Sequence, residues 1–150
     1  MSKVTNHQQT AQHSDIEAHL LSCDALFTPK LSSYVNIHAY SGKIASNAVT
    51  FEAWSQKNLI GLVAAYYNTS GEVFITNVSI TKPFTGQGIA RTLIMQCIKK
   101  AKEHSATSIC LEVHPSNTSA LLFYKKLGFT IKEQNSMTVN MSYNLEIAHG

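Results

Sequence analysis

The chain is 150 residues long, 44% hydrophobic and 14% charged, with a formal net charge of +3. That length suits one domain, residues 1–150, around one core; the positive charge is scattered, with no lysine run longer than two residues, which excludes the clustered basic face of a nucleic-acid binder. The longest apolar stretch, Leu59 to Tyr67, is too short to cross a bilayer, so no membrane partner is expected.

In chain order, residues 1–13 (MSKVTNHQQTAQH) are polar and are expected to be poorly ordered, with a short strand around Val4 as the alternative. Ser14-Asp15-Ile16-Glu17 reads as a capping box that opens a helix to about Leu21. Cys23 to Ser33 is irregular and contains Pro29. Asn36 caps a second helix, Ile37 to Asn47, with Ile37, Tyr40, Ile44 and Ala48 inward. Gly42 weakens that helix by about 1 kcal/mol relative to alanine.

Val49 to Trp54 alternates Val49, Phe51 and Ala53 against Thr50, Glu52 and Trp54, the period of a strand. Ser55 to Asn58 is a hairpin turn. Leu59 to Asn68 is a nearly continuous apolar strand, which implies burial on both faces. After Thr69-Ser70-Gly71, Glu72 to Ile80 reads as a further strand, ended by Lys82-Pro83 because proline cannot donate to a ladder. Gly86, Gln87 and Gly88 then precede a helix. Ala90, Leu93, Ile94, Cys97, Ile98 and Ala101 share its inner face, and Arg91, Thr92, Gln96, Lys99, Lys100 and Lys102 its outer one.

Thr107 to His114 is the next strand. Ser116-Asn117 caps a helix to Leu127, with Gly128 as its C′ residue. Phe129 to Glu133 and Val139 to Leu145 pair as a final hairpin around Asn135-Ser136. The order is α α β β β α β α β β, an α/β sheet with antiparallel hairpins at both ends and a parallel centre. Met1 to Ser14 has no apolar run, so no secretory leader is expected. Cys23, Cys97 and Cys110 are odd in number and lack metal spacing, as reduced thiols of a cytoplasmic protein would be. His7, His13, His19, His38, His104 and His149 show no ligand spacing, and no metal is expected.

The strand, glycine turn and helix from Glu72 to Ala101 form a unit that can bind phosphate. The first amides of a helix have no intrahelical partner, and the helix dipole adds positive charge there. Glycines at 86 and 88 let backbone approach an anion. Arg91, the only arginine, lies in the first turn. From two glycines alone, a plain connection between strand and helix is an equal reading. A P-loop and a dinucleotide fingerprint are both excluded, because Gly88 is followed by Ile89, Ala90 and Arg91.

Val78-Ser79-Ile80-x-x-Pro83-Phe84-x-Gly86-x-Gly88-Ile89-Ala90 resembles the acetyl-CoA loop of the GNAT N-acetyltransferases. That family's pattern is Arg/Gln-x-x-Gly-x-Gly/Ala. Gly88 and Ala90 match it, while Thr85 stands where arginine or glutamine is usual. The departure removes one long polar side chain and leaves the backbone amides, which the resemblance makes the main pyrophosphate ligands. It implies that Thr85, Gly86, Gln87, Gly88, Ile89, Ala90 and Arg91 surround the pyrophosphate. It also implies that the backbone of Val78 and Ile80 pairs with the pantetheine amides, in a gap where two central strands splay.

A second block, LEVHPSNTSALLFYKKLGF (Leu111 to Phe129), resembles the same family, and within it the ribosomal-protein N-terminal acetyltransferases. Asn117, Ala120, Tyr124, Gly128 and Phe129 fall on matching positions. The two blocks and the helix between them cover Val73 to Glu133, a little under half of the chain. Residues 1–48 carry no comparable signal. The implied fold is a mixed, mostly antiparallel sheet with a splayed parallel centre, flanked by helices. The implied function is transfer of an acetyl group from acetyl-CoA to a primary amine, a small molecule or a peptide N-terminus, by direct attack in a ternary complex. The alternative is a non-catalytic acyl-CoA-binding or regulatory module on the same fold, which Thr85 favours.

Two residues are the candidates for chemistry. Tyr124 stands where the family often has the acid that protonates the leaving thiolate, and a phenol suits a thiol in acidity. Read by itself it is a half-buried aromatic. Glu112 is the glutamate of the Leu-Glu-Val match and a candidate base for the ammonium of the acceptor. Read by itself it is a solvent-facing strand residue. His114 projects on the same side of the strand and is a rival base. Asn117 caps a helix and, by the resemblance, also bonds the cofactor. Cys23 to Tyr34 and Gln134 to Met137 are expected to border the acceptor cleft, and terminal hairpins can pair across a homodimer axis.

Overall fold

Residues 3–146 are described in the structure, a computed structural model; Met1, Ser2 and His149 lie outside them. The strands are β1 Thr5–Gln8, β2 Val49–Ser55, β3 Asn58–Tyr67, β4 Glu72–Ile80, β5 Ser108–Val113, β6 Thr130–Gln134 and β7 Val139–Asn144. The helices are α1 His13–Cys23, α2 Ile37–Asn47, α3 Ile89–Glu103 and α4 Thr118–Leu127. All seven strands join one sheet in the order β1-β2-β3-β4-β5-β7-β6. Every neighbouring pair is antiparallel except β4 and β5.

That parallel pair positions the site. Only Glu72 to Phe74 pair with β5, against Ser108 to Cys110. Beyond them β4 runs on to Ile80 and β5 to Val113 without a common ladder, so the sheet opens into a wedge. The wedge begins beside a bulge. The β3–β4 register passes from Ala64↔Asn77 to Ala65↔Ile75 and skips Thr76. A bulged residue loses its ladder bonds, and here Tyr40 of α2 supplies one, its hydroxyl donating to the Thr76 carbonyl at 2.7 Å.

Each face of the sheet carries its own core. On one, Phe51, Val63, Ile75, Ile109 and Met141 meet Leu93, Ile94 and Ile98 of α3, with Phe129 nearby. On the other, Leu62 and Ala64 meet Ile16, Leu20, Ile37 and Ile44 of α1 and α2. β3 is buried on both faces, as its continuous apolar run implies. Asn36 caps α2 as expected, its Oδ1 accepting the Ala39 N–H at 3.0 Å. The β2–β3 turn is made by Gln56 and Lys57, both at positive φ, as tight hairpins require.

Three points of the fold depart from simple sequence patterns. The N-terminal segment is ordered from at least Thr5, because β1 pairs with β2. Its four residues are all exposed, so hydropathy carried no signal. The alternation of β2 does not mark a solvent face: Thr50 and Glu52 are buried. The Glu52 carboxylate accepts from the N–H groups of Thr10 and Ala11, both at 3.0 Å, from Trp54 Nε1 at 3.0 Å, from Thr50 Oγ1 at 2.6 Å and from the Thr10 hydroxyl. Burial acts to raise its pKa, but these donors together outweigh burial and hold it below the usual range. Glu52 thus ties the N-terminal segment to the sheet. The capping box at Ser14 is not formed. α1 starts earlier, with the Gln12 N–H donating to Asp15 Oδ2 at 2.9 Å, and Glu17 turns to His38.

Candidate functional site

Where β4 and β5 part, a groove of about 630 Å³ opens. One wall is the end of β4, Val78 to Ile80. The next is the turn into α3, where Gly86 and Gly88 both hold φ of 80°. A left-handed backbone favours glycine. The space beside both is empty, since a Cβ at either position would meet nothing within 4 Å. The glycines are therefore needed for conformation, and the room beside the first free amides of α3 is open to a ligand. Those amides and the helix dipole suit an anion. Arg91 lines the same groove.

The opposite wall is α4. Asn117 lines the groove and caps the helix, its Oδ1 accepting the Ala120 N–H at 3.2 Å. Tyr124 lies about two turns further along the same side of the helix, 8% exposed. Its ring stands edge-on to Phe123 at 5.1 Å and to Phe129 at 5.7 Å. Burial pushes the phenol pKa up, which keeps its proton in place at neutral pH. Cys23, Leu26, Phe27 and Thr28, from the end of α1 and the segment after it, complete the lining.

Of the residues singled out in the sequence, Val78, Ile80, Thr85, Gly86, Gly88, Ile89, Ala90, Arg91, Asn117, Ala120 and Tyr124 meet in this groove. Gln87 is exposed and does not line it. Glu112 is also outside the lining. It is exposed on β5 between buried Leu111 and Val113, opposite Asn140 of β7. The parity of the strand sends it to the α1–α2 side of the sheet, with Cys110. His114 Nδ1 accepts the Ser116 N–H at 3.1 Å and lies 2.8 Å from Ser116 Oγ, which holds the ring on its own turn. Thr85 turns back on its own loop, donating to the Lys82 carbonyl at 2.8 Å.

Sequence reasoning missed a buried polar chain at the groove. His19 of α1 is 3% exposed. Its Nδ1 is 3.1 Å from the Leu59 carbonyl and its Nε2 2.8 Å from Ser79 Oγ. Burial lowers its pKa to about 4 despite those bonds, so the ring is neutral at neutral pH and its single proton belongs on Nδ1, facing a carbonyl that can only accept. Ser79 Oγ is also 2.7 Å from Asn77 Oδ1. With one proton, Ser79 serves one neighbour at a time. Phe84 and Phe123 were missed as well. Their sequence signal is that of ordinary packing residues.

The sequence pattern of the acetyltransferase (GNAT) family matches residues 15–129. The chain is 32% identical over 84 residues to N-alpha-acetyltransferase 30 of Schizosaccharomyces pombe, covering 53% of this chain and 56% of that protein. It is 28% identical over 86 residues to the ribosomal protein bS18-alanine N-acetyltransferase of Escherichia coli, covering 55% of each. The chain thus spans about half the length of the curated relatives it matches. Its fold superimposes on the PaiA N-acetyltransferase of Thermoplasma acidophilum, solved with coenzyme A, with a TM-score of 0.75 and 15% identity, covering 93% of this chain and 99% of that one. With the splayed β4–β5 pair and the glycine turn into α3, the match over residues 15–129 establishes that the chain belongs to the acetyltransferase (GNAT) family.

Proposed function

We propose that the protein is an N-acetyltransferase that uses acetyl-CoA and acetylates a primary amine, with a peptide N-terminus as the favoured acceptor. The observation that carries this reading is the wedge between β4 and β5, which ends on two positive-φ glycines at the N-terminus of α3 and has Tyr124 in its far wall. The pantetheine arm would lie along Val78 and Ile80 as an added strand. The pyrophosphate would lie on the free amides around Gly88. The acceptor class rests on the relatives, whose names describe N-alpha-acetyltransferases and an alanine N-acetyltransferase.

In this mechanism the free amine attacks the thioester carbonyl, the nitrogen gives up its extra proton to water as the carbon–sulfur bond breaks, and Tyr124 gives its own proton to the departing thiolate. Solvent then reprotonates the phenol. Glu112, reached through water from the α1–α2 side of the sheet, takes the proton that the ammonium must lose before attack. The nucleophile is the amine itself, so no nucleophilic cysteine is needed. Among the described residues no helix is long and apolar enough to cross a membrane, and we place the enzyme in the cytoplasm. A homodimer through an edge of the sheet is part of the proposal, tested by sedimentation.

A binding module without catalysis is the second reading. Thr85 supports it, since its hydroxyl is spent on the Lys82 carbonyl and adds nothing to a phosphate site. Release of CoA thiol in the presence of a panel of amines and short peptides separates the two. Turnover with a peptide bearing a free α-amine supports the enzyme. Tight CoA binding with no release from any acceptor supports the module.

A further inference from the structure

Away from the groove, three side chains from two helices converge. His13 and Glu17 lie one turn apart on α1, a spacing that puts both on one face. His38 comes from the start of α2. Glu17 Oε1 is 2.9 Å from His38 Nδ1 and 3.8 Å from His13 Nε2. The two imidazoles lie against each other, centroids 4.7 Å apart. The three ligand atoms are all within 4.8 Å of one another.

We propose that His13, Glu17 and His38 form a binding site for a divalent transition cation, zinc above all, which clamps α1 to α2. Two imidazoles and one carboxylate are a donor set that zinc takes with a fourth position left to water. Ligands at zinc distances in a tetrahedron stand roughly 3.3 Å apart. The two measured edges, 2.9 and 3.8 Å, bracket that value. An ion therefore enters with shifts of roughly half an ångström at these two edges, while the two imidazole nitrogens, within 4.8 Å of each other, close to meet it.

A second feature is built around the same ring. Gly42 sits inside α2, where glycine is a poor helix former. A Cβ there would meet His13 Cε1 at 3.1 Å and Nε2 at 3.3 Å. The glycine gives the His13 ring its place against α2. At present that ring is held by the His38 carbonyl, 2.9 Å from Nε2. A cation would exchange this bond for a metal bond at Nε2, with the ring proton then carried by Nδ1.

The site is partly open: the side chains of His13, Glu17 and His38 are 40%, 30% and 72% exposed. An ion from solution can reach it. The clamp acts on the groove through the chain. α1 and α2 are the two anchors of the segment that contributes Leu26, Phe27 and Thr28 to the lining. A cation that fixes one helix against the other steadies that wall.

The test titrates the metal-free full chain with zinc chloride by calorimetry, and with cobalt(II) by visible absorption. The expected result is one equivalent bound with a micromolar Kd, a tetrahedral cobalt spectrum, and a melting temperature raised by zinc. His13→Ala, Glu17→Gln and His38→Ala should each weaken binding at least about tenfold, the loss that even an outer-shell partner can cause. These side chains are at the surface, so the variants should fold. Two results would overturn the proposal: zinc binding only in the millimolar range, or unchanged affinity in the triple variant, which would assign the ion to other residues. Neither result bears on CoA binding, which is measured separately.

Discussion

The Tyr40 hydroxyl is bound to Thr76 twice, donating to its carbonyl at 2.7 Å and lying 2.9 Å from its Oγ1. Thr76 is the residue that the β3–β4 register skips. Past this point β4 has lost β5 as a neighbour, so a side chain from α2 holds the strand where the cofactor is proposed to dock. Tyr40→Phe leaves the ring and orphans the carbonyl. A stability loss of about 1 kcal/mol is expected, since a half-buried acceptor loses its partner. Amide exchange should quicken in β4 more than in β2. Equal protection in β4 of the variant and the parent would remove Tyr40 from this role.

Acid should unfold the protein through His19. Its folded pKa is lowered from 6.5 to about 4. The unfolded chain therefore takes up a proton first as pH falls, and the neutral ring's contribution is present above pH 6.5 and lost towards pH 4. The loss is on the order of 3 kcal/mol across that window. Urea unfolding at a series of pH values measures it. His19→Gln should be less stable at pH 7 and should show a flatter profile between pH 6.5 and 4. An unchanged slope in that variant would mean that another group titrates.

Gly88→Val tests the turn into α3. The residue holds φ of 80°, so a branched side chain there is strained by about 1–2 kcal/mol. Nothing stands within 4 Å of the new Cβ in the protein itself. What it would meet is the proposed pyrophosphate. CoA affinity should fall by about tenfold or more, roughly 1.4 kcal/mol. The melting temperature in the presence of CoA reads this directly, because ligand binding stabilises the folded state by mass action. Thr85→Arg should tighten CoA, whereas equal affinity in Gly88→Val would contradict the phosphate reading.

Local sequence rules read the central elements well. β3, β4, α3 and α4 have strong periods and clear end signals: proline at 83, asparagine at 117, glycine at 128. The groove residues from Val78 to Arg91 were legible because they are contiguous. Apart from the start of α1, where Gln12 and Asp15 make the cap in place of Ser14 and Glu17, the errors are long-range. Glu52 looked like the polar half of an alternating strand because its donors, Thr10 and Ala11, are about forty positions away. His19 looked like one more isolated histidine because Leu59 and Ser79 reach it only in the fold. His13 and Glu17 stood at helical spacing in the sequence, but His38 joins them through helix packing. Glu112 and Tyr124, close in sequence, differ in environment, one exposed on a strand and one buried in the groove wall.

The acid role of Tyr124 is the central claim, and Tyr124→Phe tests it most directly. The phenylalanine keeps the edge-on packing against Phe123 and Phe129 and removes only the hydroxyl. Steady-state kinetics with a peptide acceptor and CoA binding by calorimetry should be measured on the same preparation. The account predicts a kcat lower by about 10²–10⁴-fold, the contribution of general acid catalysis, with CoA affinity nearly intact. Because burial holds the phenol proton firmly, the parent enzyme should show no loss of rate from Tyr124 ionisation up to pH 9–10. Full turnover in Tyr124→Phe would contradict the account and leave Tyr124 as a packing residue.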